Sequence, residues 1–386
     1  MSAPKIEGTC DPRFNRVRDA LADSFTRFGE TGASLAVTLD NKPVVDVWAG
    51  HVDEERTKPW QRDTIANVYS TTKGMTAICA LRLVGEGRLD LDAPVAKYWP
   101  EFARGGKEKL PVRYLLSHRA GLPALSRPLA SEAMYEWDTM TAALAEQEPW
   151  WEPGTKHGYH AVTYGWLVGE VVRRITGKSL GTYFRETVAG PLGVDVHIGL
   201  AAELDARVAP LIPPPPPSPD QLDLFNEIMK DLDSMLAKTF TNPLVPITSV
   251  NTREWRGAEI PAANGHTNAR ALARVYGALA CGGALDGVQV MSPAAIELGH
   301  TKQSDGPDAV LPLHTTIALG FMLSTPHEKM GPNPHTFGHG GMGGSMAFAD
   351  PAARLGFGYV MNEMHTGLWL IDPRAAALID AVYGCL

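Results

Sequence analysis

The sequence has few cysteines, and their spacing excludes the usual roles of clustered thiols. Its 386 residues contain four, with no CxxC pair among them. Thiols scattered in this way fit reduced side chains better than a disulfide framework or a zinc site. No role is therefore assigned to a cysteine. The four are Cys10, Cys79, Cys281 and Cys385.

Long apolar runs and basic clusters are also missing. No window approaches the length of a membrane span, and the N-terminal MSAPKIEGTCDPRF lacks the charged and apolar regions of an export signal. The formal net charge of −8 disfavours nucleic acid or an anionic membrane as a partner. We expect a cytoplasmic protein that binds neither, and the sequence does not predict its oligomeric state.

The strand patterns lie at the two ends of the chain. ASLAVTL and PVVDVWAG flank a turn at Asp40 and Asn41, which predicts a hairpin behind a first helix that runs to about Phe28. SMAFAD and LGFGYVMN predict a second antiparallel pair, followed by a closing helix over Pro373–Tyr383. Between these ends, from Ser70 onward, the apolar periodicity is mainly helical.

The fold class predicted from this arrangement is α+β. A lone hairpin is marginally stable in water, so we expect both ends to share one antiparallel sheet. The sheet domain would be discontinuous, built from residues 1–72 and 331–386, with an all-α domain at 73–330 inserted into it. A proline-rich surface insertion at about 209–220 would lead into one amphipathic helix at about 222–236. A cleft is expected where the domains meet.

Three motifs suggest other functions, and their context argues against each. GKSLG matches the GxSxG nucleophile elbow, but a helical pattern precedes it, so Gly177 is predicted to end one helix and Ser179 to cap the next. GHGGMG matches GxGxxG, but a strand pattern follows it where a dinucleotide site needs a helix. The pairs His157 with His160 and His335 with His339 lack a carboxylate at ligand spacing. No metal or cofactor is predicted.

Ser70 and Lys73 form an SxxK motif at the start of an apolar helix. Their spacing places both side chains on one helical face. Because the helix GMTAICALRLV is apolar nearly all round, we expect it to be buried, and a buried lysine must be paired or neutral. A neutral lysine can accept the proton of a serine, and the helix N-terminus stabilises negative charge nearby.

The chain resembles the serine β-lactamase-like superfamily, and within it the family VIII carboxylesterases close to class C β-lactamases. SxxK is the superfamily's first motif. Beyond STTK the resemblance includes GEGRLDLDAPVAKYWPEF, LPVRYLLSHRAGLP, the EPGTKHGYHAVTYGW region and FGHGGMGGSMAFADP, in the family's usual order. The proline-rich insertion lies outside this shared pattern.

The resemblance implies roles for individual residues. Ser70 would be the acylated nucleophile, Lys73 its proton partner and Tyr159 the tyrosine of the second motif. His339, Gly340 and Gly341 stand where related enzymes have lysine, threonine and glycine. The oxyanion hole would be formed by the backbone N–H groups of Ser70 and Met342.

The second motif departs from the lactamase pattern. Tyr159-His160-Ala161 has alanine where lactamases have an asparagine amide. An ester needs less assistance than an amide, so we predict a cofactor-free serine ester hydrolase that acts on small-molecule esters through an acyl-enzyme. Whether Lys73 or Tyr159 is the base stays open. The alternatives are a β-lactamase or D-alanyl peptidase, and a non-catalytic binding protein of the same fold.

Two tryptophans and one segment are considered as walls of the substrate pocket. Trp150, Trp151 and the segment after Pro219 are candidates for lining an acyl or alcohol pocket. Aromatic residues beside a turn are more often part of the core.

Overall fold

A computed structural model describes residues 4–386. Its largest element is a nine-stranded sheet in which every neighbouring pair is antiparallel. In spatial order the strands are Glu7–Cys10, Lys42–Gly50, Gly32–Leu39, Leu355–Met361, Met346–Asp350, Phe337–Gly340, Met322–Leu323, His314–Ile317 and Ser304–Pro307.

The two ends of the chain meet in the middle of this sheet. Gly32–Leu39 pairs with Leu355–Met361, with Leu35 opposite Tyr359. Both predicted strand pairs are confirmed. The turn of the first pair lies at Asp40 and Asn41, which have φ angles of 51° and 62°. These positive values suit the short polar side chains at that turn.

The α-helices pack against the sheet or against one another. The first and last predicted helices are confirmed, as Asn15–Arg27 and Pro373–Tyr383, which pack against each other. The others are Thr72–Gly85, Val112–Leu116, Trp137–Glu146, Thr163–Thr176, Leu180–Phe184, Gly190–Leu192, Leu224–Lys230, Met235–Thr241, Arg253–Gly257, Ala269–Ala280 and Pro293–His300.

The two faces of the sheet are covered by different helices. Ala269–Ala280 lies so close to one face that a Cβ on Gly356 would be 2.3 Å from the Gly277 nitrogen. Side chains alternate along a strand, so Tyr359 points to the opposite face. There its hydroxyl donates a 2.5 Å hydrogen bond to Glu30, near the start of the C-terminal helix.

The domain limits proposed from the sequence remain a prediction. Strands at Ser304–Pro307, His314–Ile317 and Met322–Leu323 belong to the sheet although they precede residue 331. The helix Ala269–Ala280 also packs on the sheet. These positions favour an earlier start for the second part of the sheet domain.

The segment after the proline-rich stretch differs from the prediction. The single helix expected at about 222–236 is wrong, because two short helices, Leu224–Lys230 and Met235–Thr241, occupy this region. Asp231 is extended, and Ser234 caps the second helix by accepting the Ala237 N–H at 3.1 Å. We call residues 222–244 the cap segment.

Within residues 4–386, no helix is long and apolar enough to cross a membrane. The cytoplasmic location stays a prediction.

Candidate active site

Ser70 lies in a single strained turn between a short strand and a long helix. The strand Ala66–Asn67 leads into a 3₁₀ turn at Tyr69–Thr71, and the helix Thr72–Gly85 follows directly. Tyr69 has a φ angle of 40°, which is costly for a bulky residue, and its N–H donates to Asn67 Oδ1 at 3.0 Å. The turn holds Ser70 at the surface of a cleft, beside the positive end of the helix dipole.

Lys73 is fully buried beneath Ser70, as its sequence context predicted. Its Nζ lies 3.0 Å from Ser70 Oγ and donates to the Ala161 carbonyl at 2.6 Å and to the Ala262 carbonyl at 3.0 Å. Burial lowers the pKa of Lys73 well below that of an ordinary lysine. No carboxylate is among these acceptors, so the arrangement orients the amine without stabilising its charge by an ion pair.

Tyr159 completes a three-residue group with Ser70 and Lys73. Ser70 lies close enough to the Tyr159 hydroxyl to act on its pKa, and Lys73 Nζ lies 4.8 Å from the centre of the tyrosine ring. Burial raises the pKa of Tyr159, although Ser70 opposes that shift. Its backbone N–H donates to Asp308 Oδ1 at 2.9 Å, which fixes the main chain at this point. The structure thus brings together the three residues proposed from the sequence.

His118 supports this group, although nothing in its sequence context marks it as a functional residue. Its Nδ1 accepts the backbone N–H of His160 at 3.0 Å. Its ring lies 5.2 Å from that of Tyr159 and 5.1 Å from that of Tyr164, stacked on the latter. His118 has a φ angle of 57°, and the side chains of the SHRAGLP segment do not indicate this left-handed conformation.

The histidines considered as metal ligands have other partners. His160 accepts the Leu122 N–H at Nε2 and donates from Nδ1 to the Gly158 carbonyl, at 3.0 and 2.7 Å. His157 Nε2 is 3.0 Å from Thr315 Oγ1. His157 and His160 are therefore hydrogen-bonded side chains. Across residues 4–386 no cluster of three or more metal-ligating side chains is found, and the absence of a metal remains a prediction.

His339 and Gly340 end a central strand beside Tyr159. The His339 Nδ1–H donates to the Gly340 carbonyl at 2.6 Å, and the ring lies 6.1 Å from that of Tyr159. Burial lowers the pKa of His339 to about 3, so the imidazole is neutral. A neutral side chain therefore stands where related enzymes place a lysine.

Gly341 and Met342 form a turn against the backbone next to Ser70. A Cβ on Gly341 would lie 2.2 Å from the Val68 carbonyl oxygen, so only glycine fits. The Gly344 N–H donates to the Gly341 carbonyl at 3.0 Å, which places Met342 and Gly343 at the centre of a tight turn. The Met342 N–H is not the donor of that turn hydrogen bond, and Met342 lines the cleft.

Ser345 ties this turn to the segment that carries Ser70. Its Oγ donates to the Val68 carbonyl at 2.9 Å and lies 3.0 Å from Thr71 Oγ1. The Gly341 N–H donates to the Ser345 carbonyl at 2.8 Å. The two proposed oxyanion-hole segments are therefore linked by direct hydrogen bonds.

The cleft above Ser70 has largely apolar walls, and the cap segment forms part of them. Leu224 and Phe240 come from the two short helices of that segment. The other apolar side chains lining the cleft are Leu311, Leu313, Met322, Met342, Leu368, Trp369 and Leu370. The cleft can accommodate an apolar group beside Ser70.

The two tryptophans suggested as pocket walls lie elsewhere. Trp150 Nε1 donates to the Ala124 carbonyl at 2.9 Å and lines a separate surface depression. Trp151 is buried, and its Nε1 donates to the Lys156 carbonyl at 3.1 Å. That part of the prediction is wrong, whereas the segment after Pro219 does form a wall.

The GKSLG motif has the structural role expected for it. Gly177 ends the helix Thr163–Thr176 with a φ angle of 71°, and Ser179 caps Leu180–Phe184 by accepting the Thr182 N–H at 3.3 Å. Ser179 Oγ also donates to Glu259 at 2.6 Å. The GHGGMG motif is a strand and turn, which does not match the strand–helix geometry of a dinucleotide site.

Comparison with known proteins identifies the family. The sequence profile of the beta-lactamase family matches residues 20–381. The chain belongs to this family. An esterase/beta-lactamase named LipL from Mycobacterium tuberculosis is 38% identical over 376 residues, covering 95% of this chain and 85% of that protein.

Two solved structures share the fold of this chain. A family VIII carboxylesterase superposes with a TM-score of 0.91 at 43% identity, covering 99% of this chain and 100% of the other. A penicillin-binding protein homologue from Caulobacter crescentus gives a TM-score of 0.88 at 39% identity, with the same coverage. The fold predicted from the sequence is therefore confirmed.

Proposed function

We propose that this member of the beta-lactamase family is a serine carboxylesterase in which Ser70 forms the acyl-enzyme. One observation carries the proposal: Ser70 lies beside the buried side chains of Lys73 and Tyr159 at the floor of an apolar cleft. The similarity to a family VIII carboxylesterase and to LipL supports ester hydrolysis.

The reaction proceeds in two balanced steps. Ser70 Oγ attacks the ester carbonyl carbon while its proton passes to the Lys73–Tyr159 pair, and the same pair protonates the departing alkoxide as the carbon–oxygen bond breaks. A water then gives a proton to this pair and attacks the acyl carbon. The carboxylic acid leaves, and Ser70 regains its proton.

Negative charge on the carbonyl oxygen is stabilised by backbone donors. The N–H groups of Ser70 and Met342 are the proposed pair, at the start of the Ser70 helix and in the turn after His339. One such donor is typically worth about 2.7–4 kcal/mol of transition-state stabilisation.

The environment of Lys73 favours an ester over an amide substrate. In place of a side-chain amide at position 161, Lys73 contacts the backbone carbonyl of Ala161. Position 161 therefore supplies no amide to orient the nitrogen of a lactam or peptide. The walls at Leu224 and Phe240 suit an ester with an apolar acyl or alcohol group.

Covalent labelling tests the proposal directly. We expect an organophosphate with a p-nitrophenol leaving group to add one phosphoryl group per chain, located on Ser70 by peptide mapping. Ser70→Ala should remain unlabelled, and Ser179→Ala should be labelled as the unmodified protein is. Labelling of Ser179, or absence of labelling at Ser70 in folded protein, would contradict the assignment.

A further inference from the structure

The turn that presents the Met342 N–H is glycine-rich. Gly341, Gly343 and Gly344 surround Met342, and the last two have φ angles of 87° and 132°. The strand ends at Gly340, so the turn lies outside the sheet hydrogen bonding. Glycine loses more conformational freedom on folding than other residues, and a donor in such a turn needs external support to stay in place.

Arg374, at the start of the C-terminal helix, contacts this turn. Its side chain is fully buried, and its Nη2 donates to the Gly343 carbonyl at 2.5 Å. A Cβ on Gly344 would lie 2.4 Å from the same Nη2, so the guanidinium packs directly against the turn backbone. Arg374 therefore contacts the residues on the C-terminal side of Met342.

The guanidinium is itself held by four further acceptors. Asp372 accepts from Nε at 3.0 Å and from Nη2 at 3.1 Å. Nη1 donates to Glu30 Oε1 and to the Glu363 carbonyl, each at 2.9 Å. With these partners the guanidinium is fixed in position and orientation, which a single ammonium group could not reproduce.

From these contacts we propose that Arg374 is a positioning residue for the oxyanion hole. By binding the Gly343 carbonyl it fixes the turn that directs the Met342 N–H towards the substrate oxygen. This inference rests on the proposed function, because it concerns the same ester hydrolysis. If Arg374 only formed structural salt bridges, it would stabilise the fold without affecting hydrogen bonding between the Met342 N–H and the carbonyl oxygen of the substrate.

Arg374→Lys, assayed with a matched pair of substrates, separates these roles. The pair is a p-nitrophenyl ester and its thionoester, in which sulfur replaces the carbonyl oxygen. Sulfur is larger and accepts hydrogen bonds more weakly, so donors placed for oxygen favour the oxygen ester. We expect the oxygen-to-sulfur ratio of kcat/KM to fall about 10-fold, mainly through kcat for the oxygen ester.

This ratio does not depend on how much of the variant is folded. Arg173→Lys is the matched control, because Arg173 forms a 2.7 Å ion pair with the buried Glu170 and neither residue lines the cleft. The ratio for Arg173→Lys should equal that of the unmodified protein. If Arg374→Lys yields no folded protein, Glu30→Gln weakens the support of Arg374 without touching the turn and should lower the ratio in the same direction.

An unchanged ratio in the folded variant would overturn the positioning role while leaving Ser70 catalysis in place. For Glu30→Gln, used if the lysine variant does not fold, an unchanged ratio has the same meaning. Failure of the proposed function would appear differently, as absence of Ser70-dependent ester hydrolysis in the unmodified protein.

Discussion

Lys73 and Tyr159 face one another at Ser70, with the lysine nitrogen 4.8 Å from the centre of the tyrosine ring. Burial shifts their pKa values in opposite directions, down for Lys73 and up for Tyr159. Both shifts favour the neutral forms. The resting site is therefore expected to hold a neutral amine beside a neutral phenol, and the two share the Ser70 proton as one unit.

The first prediction separates two serines. Ser70→Ala should abolish hydrolysis of short-chain p-nitrophenyl esters, because the nucleophile is lost. Ser179→Ala should keep most of the activity, since Ser179 only caps a helix and binds Glu259. Steady-state kinetics on both purified variants, with circular dichroism to verify folding, makes the measurement. A folded but inactive Ser179→Ala would restore the nucleophile-elbow interpretation.

The second prediction is non-additivity between Lys73 and Tyr159. Lys73→Ala and Tyr159→Phe should each lower kcat by about 10²-fold or more, and the double variant should lose far less than the product. If the two residues transfer one proton as a unit, removing either one disables the unit, and removing the second causes little further loss of activity. Measuring kcat for all four proteins completes the cycle. Multiplicative losses would mean that the two residues act independently.

The third prediction concerns pH. A buried lysine with a lowered pKa loses its proton at a lower pH than usual, so the neutral amine is available sooner as pH rises. Activity should increase with pH and level off well below the ordinary lysine pKa of about 10.4. The pH profile of kcat/KM reports this ionisation in the free enzyme. A rise in kcat/KM centred near the ordinary lysine pKa would show that Lys73 is charged in the resting site.

The fourth prediction compares an ester with a lactam. p-Nitrophenyl butyrate should exceed nitrocefin by about 10³-fold in kcat/KM, or ~4 kcal/mol of transition-state stabilisation. Ala161→Asn should narrow this difference by restoring an amide near Lys73. Equal kcat/KM values for the two substrates in the unmodified protein would favour the lactamase alternative.

The fifth prediction tests the cap segment as a wall of the cleft. Phe240→Ala should lower kcat/KM for esters with a bulky apolar acyl group by about 10-fold through lost contact, with little effect on acetate esters. Phe225→Ala is the control, because Phe225 lies on the same segment but is 59% exposed. Equal losses of kcat/KM for esters with large and with small acyl groups would show that Phe240 does not contact the acyl group.

Features encoded in side-chain type and spacing were predictable. The hairpin at Asp40, the junction at Gly177 and Ser179, and the burial of Lys73 all follow from local patterns and agree with the structure. The meeting of Tyr159 with Ser70 came from the family resemblance, because the two residues lie far apart in the sequence.

Features carried by the backbone or by distant charges were not predictable. Ala262 binds Lys73 through its carbonyl, a group that every residue has, so nothing in the sequence marks it. In the sequence Arg374 resembles any other residue of a helix, because its partners Glu30 and Gly343 are distant along the chain and meet it only in the fold. Trp150 and Trp151 were misassigned because proximity to a motif in sequence does not determine which surface a ring faces.

The pairing of Gly32–Leu39 with Leu355–Met361 sets an order of events during synthesis. At about 5–20 residues per second, a ribosome takes tens of seconds to make the chain between these strands. Throughout that time the Gly32–Leu39 edge has no central partner, and unpaired edges invite association with other chains. The nascent protein would carry Ser70, Lys73 and Tyr159 early but acquire the Met342 donor late. Hydrolysis is therefore expected to begin only when nearly the whole chain has emerged, and until then the exposed edge can pair with another chain.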